Sequence, residues 1–242
     1  CVVRRRAGRA LDLGSFYPTC MSHTPLAPAD VLAQIAQPKI VLVGAWHDLR
    51  ATVPPGPACN YLVVRPHHQV WAIEPLPHCV ASLRTLAGAD PRCHILPYAV
   101  SNYDGESVFW LNEAVDMTSS LRRPGPGFTV VAGEPQLRSI PVTVRRLDTL
   151  VAEGLLPAGA DYVTLDVQGC ALEVIHGGSE FLSRCKMIWC EVEFSELYIG
   201  QALYLKVRTA LERLGFEQVT TFDEADLNQA WDDALFVKGI VA

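Results

Sequence analysis

Asp166 closes a short apolar run, Tyr162, Val163 and Leu165, inside the stretch DYVTLDVQGCALEVIHGG (Asp161–Gly178). A β-rich run of that kind forms a strand buried on both faces, and Gly169 then permits a tight reversal. From Cys170 the apolar spacing changes: Ala171, Leu172, Val174 and Ile175 suit one side of a helix that Gly177 and Gly178 end. A carboxylate at a strand's carboxyl end lies where open α/β sheets bind their ligands. Asp166 suits capping of the next helix equally well. Other strand ends repeat the pattern. Gly44 and Ala45 follow KIVLV (Lys39–Val43), Glu74 follows Val70–Ile73, and Glu191 and Glu193 stand near the end of MIWCEV (Met187–Val192). Carboxylates so placed offer acceptors for ribose hydroxyls and a sink for a proton. Each also suits a plain solvent-facing or hydrogen-bonded strand end.

These residues need a sheet to bring them together. Pro77 is placed as the first residue of a helix whose stripe is Val80, Leu83 and Leu86, with Gly88 closing it. Cys93–Val100 reads as a third strand, irregular at Pro97. Ser107–Leu111 and Ile140–Val144 are extended, Leu147–Leu156 is helical, and Asn112–Arg138 has little period, as a functional or mobile loop would. Gln201–Leu214 carries Leu203, Val207, Leu211 and Leu214 on one helical face and stops at Gly215. Phe216–Phe222 and Ala234–Lys238 supply two late strands. A short helix through Ile35 and Ala36 is capped by Asp30, and another is expected near Ala58–Val64, after Pro54, Pro55 and Pro57. Strand–helix alternation of this kind predicts an α/β fold with a doubly wound, mainly parallel sheet.

Composition narrows the function. Half of the 242 residues are hydrophobic, enough for a full core, and the net charge of −6 argues against nucleic acid as partner. No apolar run reaches the roughly 18–20 residues that cross a bilayer. The eight cysteines are scattered without a CxxC pair, which favours a reduced, cytoplasmic environment over a disulfide framework. No zinc spacing is visible, and the adjacent pair His67-His68 lacks a nearby third ligand, so no metal is expected. Residues 1–28, with Arg4, Arg5, Arg6 and Arg9, read as a flexible basic arm, and residues 29–242 as one domain.

Glu74 stands thirty positions after Gly44 (74 − 44), which suggests a nucleoside cofactor. The loop GAWHDL lacks the second and third glycines of GxGxxG, and GxxxxGK[ST] is absent, so close approach of a pyrophosphate is hard to arrange. A cofactor without phosphates fits better, and S-adenosylmethionine is the evident one.

The residues then converge on a family. The chain resembles the FkbM-type S-adenosylmethionine-dependent methyltransferases from about Lys39 to Lys238. The matching pieces are VGA at Val43–Ala45, AIEPLP at Ala72–Pro77, AVSNYDG at Ala99–Gly105, SSL at Ser119–Leu121, RRLDTL at Arg145–Leu150, the long stretch at Asp161–Gly177, EVEF at Glu191–Phe194 and DALFVK at Asp233–Lys238. The resemblance implies a Rossmann-like sheet ending in an antiparallel strand, and methyl transfer, usually to the oxygen of a small hydroxylated acceptor such as a sugar or lipid. In that frame Gly44 and Ala45 approach the cofactor through their backbones and Glu74, with Pro75 beside it, holds the ribose. Ala99, Val100 and Ser101 border the adenine. Asp166 faces the amino-acid part or the reacting centre, and Asp166, Glu191 or Glu193 takes the proton, with His176 a weaker candidate. Ser119 and Ser120 suit a lid or an ordinary polar loop. The chain departs from the family at Leu42, Trp46 and Asp48 in the first loop, and at Gln168 and Ala171, which replace two glutamates. Those departures support a second expectation, a catalytically impaired cofactor-binding or scaffold protein of the same fold.

Overall fold

The computed structural model describes residues 28–47, 50–51, 59–60 and 67–239. In chain order the elements are α1 (Pro28–Ala33), β1 (Lys39–Val43), β2 (Arg50–Ala51), β3 (Cys59–Asn60), β4 (Gln69–Ile73), α2 (Pro77–Ala87), β5 (Cys93–Leu96), β6 (Ala99–Val100) and β7 (Gly105–Asn112). A 3₁₀ turn (Asp116–Thr118) leads to α3 (Pro126–Ala132), β8 (Leu137–Arg145), α4 (Leu147–Ala152), β9 (Tyr162–Leu165), α5 (Ala171–Gly177), α6 (Ser179–Ser183) and β10 (Met187–Glu193). The chain closes with α7 (Tyr204–Arg213), β11 (Glu217–Gln218), α8 (Glu224–Leu227) and β12 (Trp231–Val237).

Among the described residues the main sheet has seven strands in the order β11-β12-β10-β9-β1-β4-β5. Strands β5, β4, β1, β9 and β10 are parallel, and β12 runs antiparallel to β10 and β11. The doubly wound sheet and its terminal antiparallel strand are as expected. Side-chain alternation splits the core in two. On one face Val41, Val43, Val163, Leu165, Ile188 and Cys190 pack with α4, α5, α6 and α7; on the other Ile40, Leu42, Ala72 and Tyr162 pack with Leu32 of α1 and Leu83 of α2. Helices on both faces explain why β1 and β9 read as continuous apolar runs.

Several boundaries differ from the sequence-based expectation. The third strand breaks at Pro97, which has no N–H to offer a ladder: β5 stays in the main sheet, while Ala99–Val100 leave it to pair with β8 in a second sheet, β6-β8-β7. Asp30 lies inside α1 rather than capping a later helix. Cys59–Asn60 form a strand, not a helix, and the rest of that segment, with residues 1–27, Asp48 and Pro54–Pro57, lies outside the described residues. The stretch Asn112–Arg138 is not one loop, since it holds the 3₁₀ turn and α3. Helix α7 starts at Tyr204, not Gln201, so Leu203 precedes the helix and Tyr204, Val207 and Leu211 form its buried face. Helix α4 ends at Ala152, β11 is only Glu217–Gln218, and β12 begins three residues early, at Trp231.

Gly177 does more than end α5. A Cβ there would lie 2.0 Å from the Ser101 carbonyl oxygen, so α5 packs on the end of β6 only because that position is glycine. Gly178 is the joint at which α6 begins.

Candidate active site

The ladder register aligns the expected residues. Val43 pairs with Ile73 and with Leu165, and Leu165 pairs with Cys190. One residue further on, the next row across the carboxyl edge is therefore Glu74, Gly44, Asp166 and Glu191, and Glu191 pairs with Asp233 of β12. Neighbouring strands are about 4.8 Å apart, so four carboxylates share one edge within two strand spacings of Asp166. Glu74 and Asp166 stand on the same rim, flanking β1.

Gly44 makes this row possible. Its φ is +81°, and a Cβ would lie 1.7 Å from the Asp166 carbonyl oxygen. The following turn is held tightly. The amides of Gly44 and Ala45 both donate to Ile73 O (3.0 and 3.2 Å) and that of Trp46 to Glu74 Oε2 (2.9 Å). The expected backbone approach of Gly44 and Ala45 to a cofactor therefore cannot use their N–H groups, which are already engaged. Trp46 adopts φ +50°, a conformation that asparagine tolerates better than tryptophan. Its indole donates to Asp116 Oδ1 (2.9 Å), which anchors it.

Glu74 is buried, with Oε1 accepting from the Leu76 amide (2.8 Å) and Oε2 from Trp46. Burial pushes its pKa up to about 7, against the two amide hydrogen bonds. Each oxygen keeps a second lone pair, so the carboxylate can still accept two hydroxyl donors. Asp166 is the exposed member of the row. The dense protein around it pushes its pKa up, the Gln168 amide pulls it down, and its face open to water tempers the rise. Burial, then the Asp166 charge, raises Glu191 well above the usual range. Burial carries Glu193 to about 8 and Asp233 to about 7.

Gln168, at φ +49°, is the connector that sequence reasoning recognised only as a departure. Its Nε2 donates to Asp166 Oδ1 (2.7 Å) and Glu191 Oε1 (3.0 Å), and its Oε1 accepts from the Tyr198 hydroxyl (2.8 Å). A glutamate there would offer no donor and would add a charge among carboxylates. Tyr198 was missed, because it lies thirty residues from Gln168 in the chain. Ser119 and Ser120 do not form a lid. Both are buried; Ser119 Oγ accepts from the Asn112 amide and Ser120 Oγ donates to Gln168 O (2.7 Å), so they support the turn from beneath.

Ala99, Val100 and Ser101 are buried in and just after β6. Ala99 packs in the cluster that contains Leu76 and Trp46, on the Glu74 side, whereas Val100 faces the main core. Pro75 is half-buried between Glu74 and Leu76. His176 is exposed in the last turn of α5, which carries it roughly 8 Å from the start of that helix at 1.5 Å per residue. It does not join the row.

A doubly wound sheet closed by an antiparallel strand is the architecture of the class I S-adenosylmethionine-dependent methyltransferases. Residues 54–217 match the Methyltransferase FkbM domain, and the chain belongs to that family. It is 32% identical over 177 residues to "2-O-methyltransferase NoeI" of Sinorhizobium fredii (strain NBRC 101917 / NGR234), covering 68% of this chain and 69% of that protein. The crystal structure of Methyltransferase FkbM from Methylobacillus flagellatus KT superposes with a TM-score of 0.51 at 13% identity over 84% of this chain. This chain spans 44% of that protein's length, and the likeness speaks for the fold alone. The family's cofactor is S-adenosylmethionine. The residues fit it: Glu74 retains acceptor capacity suited to a ribose diol, and the carboxylate row complements a sulfonium and an ammonium. Of the described part of the first loop, the amides of Gly44, Ala45 and Trp46 contribute no spare donors to the cofactor's own carboxylate.

Proposed function

We propose that this chain transfers a methyl group from S-adenosylmethionine to a hydroxyl oxygen of a small molecule, sugar or lipid. The observation that carries the reading is the row Glu74, Gly44, Asp166 and Glu191 at one sheet edge, reached from four separate segments. The 2-O-methyltransferase relative supports oxygen as the acceptor atom. When bound, the cofactor supplies an electrophilic methyl on a positively charged sulfur. Glu74 accepts the ribose hydroxyls, with Pro75 fixing the chain as it leaves the strand. Ala99 borders the adenine from the Trp46 side, with Val100 and Ser101 setting the backbone behind it. Asp166 is the base. Among Asp166, Glu191 and Glu193 it alone is exposed, so it can meet an acceptor hydroxyl and take its proton as the oxygen–carbon bond forms. Gln168 aims Asp166 through Oδ1, while Glu191 and Glu193, raised by burial, hold protons behind it near neutral pH.

Incubation with methyl-tritiated cofactor and a pool of hydroxylated metabolites tests this reading. Label should enter a product that resists mild base, as an ether does and an ester does not. D166A should lower transfer by about 10²–10⁴-fold without lowering the thermal unfolding midpoint. Transfer by D166A near the unsubstituted rate would remove Asp166 from the mechanism.

One observation favours a second reading, a protein that binds the cofactor without transferring its methyl. The Gly44–Trp46 amides are engaged within the protein, so the loop is built for rigidity rather than for gripping. A thermal shift with S-adenosylmethionine, together with no label in any product, would select it. A ligand at 100 times its Kd adds about 2.7 kcal/mol of stability.

A further inference from the structure

Beside Glu74 lies a second cluster, from three distant segments. His47 follows Trp46 in the first loop, Cys79 stands in the first turn of α2, and Asp116 opens the 3₁₀ turn. A ring nitrogen of His47, the sulfur of Cys79 and a carboxylate oxygen of Asp116 all lie within 4.8 Å of one another. Across the pair at the surface, His47 Nε2 is 3.9 Å from Asp116 Oδ2. Donors around a tetrahedral zinc, with bonds of about 2.0–2.3 Å, stand roughly 3.5 Å apart, so side-chain shifts of up to roughly 1 Å close the set.

The surroundings are organised for such a centre. Trp46 Nε1 holds Asp116 Oδ1 (2.9 Å), which turns Oδ2 toward the histidines. His78 Nε2 reaches the same Oδ2 at 2.7 Å, and the His47 and His78 ring centroids are 5.9 Å apart. Cys79 is fully buried at the base, while His47 and His78 are partly open at the top, which gives an ion a way in. Burial, and then the negative charges of Glu74 and Asp116, push the pKa of the Cys79 thiol up while no metal is bound.

We propose that His47, Cys79 and Asp116 form a zinc site that pins the first loop to α2 and the 3₁₀ turn, with His78 as the outer partner of Asp116 and water in the fourth position. Imidazole, thiolate and carboxylate together select zinc over the hard cations. On binding, the Cys79 S–H bond gives its proton to solvent and the thiolate electron pair goes to the metal, so one proton is released per ion at neutral pH. The carboxylate row is not part of this site, and the proposal does not depend on methyl transfer.

Cobalt(II) is the probe, added to the intact chain after chelator treatment. One equivalent should bind, with a near-ultraviolet thiolate-to-cobalt absorption, and zinc should displace it with release of about one proton per chain on zinc loading of the apo form. C79S should erase the absorption, and C93S should leave it intact. H47A and D116N should each weaken cobalt binding by more than the roughly 10–100-fold expected for the outer-partner variant H78A. His47 is partly exposed, so H47A keeps the test valid should C79S fail to fold. Substoichiometric binding by the unsubstituted chain, or a thiolate absorption that survives C79S, would overturn the site. Stoichiometric cobalt that H47A and D116N do not weaken would place the ion elsewhere and overturn it as well.

Discussion

At the scale of single residues, the chemistry rests on where charge is left open and where it is tied. Asp166 is open and Gln168 ties it to Glu191. We expect D166A to lower turnover by about 10²–10⁴-fold, the range for loss of a positioned base, with no loss of folding stability; steady-state kinetics beside thermal denaturation measures both. E74A should act on binding rather than turnover. Loss of two hydrogen bonds to a charged group, about 1.5–3 kcal/mol each, weakens cofactor affinity by roughly 100-fold or more in a direct titration. Q168E replaces an amide donor with a fifth acid beside Asp166 and Glu191. It should destabilise the chain by about 1–3 kcal/mol at pH 8 and less at pH 6, where the acids share protons. Equal denaturation midpoints for both proteins at pH 8 would show that the amide bridge contributes nothing. Sequence reasoning reached Asp166, Glu74, Glu191 and Glu193 because each interrupts or ends an apolar run. It missed Tyr198 and Asp116, because a hydroxyl or carboxylate arriving from a separate loop leaves no periodic trace.

At the scale of elements, the decisive contacts are between backbones. Gly44 lets β1 leave the sheet beside the end of β9, where the Asp166 carbonyl fills the space a Cβ would need. G44A must separate these two exits or distort them, so we expect several kcal/mol of destabilisation, as for other severe backbone clashes. Gly88 is the control. It too has positive φ (+57°), but nothing lies within 4 Å of its would-be Cβ, so G88A should cost only the backbone strain, about 1–3 kcal/mol. Chemical denaturation of the pair separates steric closure from backbone preference; similar losses would remove the close-approach argument. The strands and α2 were legible from apolar runs, Pro77 and Gly88, since those signals are local. The departure of β6 into a second sheet and the late start of α7 were not legible. The first depends on which neighbour accepts Ala99 and Val100. In the second, the buried Gln201 side chain holds the loop amides of Leu197 and Tyr198 before the helix begins.

At the scale of the whole molecule, folding gathers acids that repel one another, and stability should record this. Glu74 and Glu193, and the half-buried Asp233, have folded-state pKa values pushed up by burial to about 7, 8 and 7. Groups raised in this way bind more protons folded than unfolded, so their contribution is present below the ordinary carboxylate range and lost as pH rises through 7 to 8. For Glu74 alone, a rise from 4.5 to about 7 corresponds to on the order of 3 kcal/mol. The unfolding midpoint of the free protein should therefore fall between pH 5.5 and 8.5. S-adenosylmethionine, which brings a positive sulfur, should offset the fall more than its demethylated product; a midpoint independent of pH would contradict the acidic row. The amino-acid sequence by itself determined the alternation of strands and helices, the acids at strand ends and the family, because these are written in local period and in ordered short motifs. Only the tertiary structure decided that Glu74, Gly44, Asp166 and Glu191 form one row, that Gln168 bridges two of the acids, and that His47, Cys79 and Asp116 meet. Ladder register and loop closure bring together residues up to about 150 positions apart, and no local pattern encodes that distance.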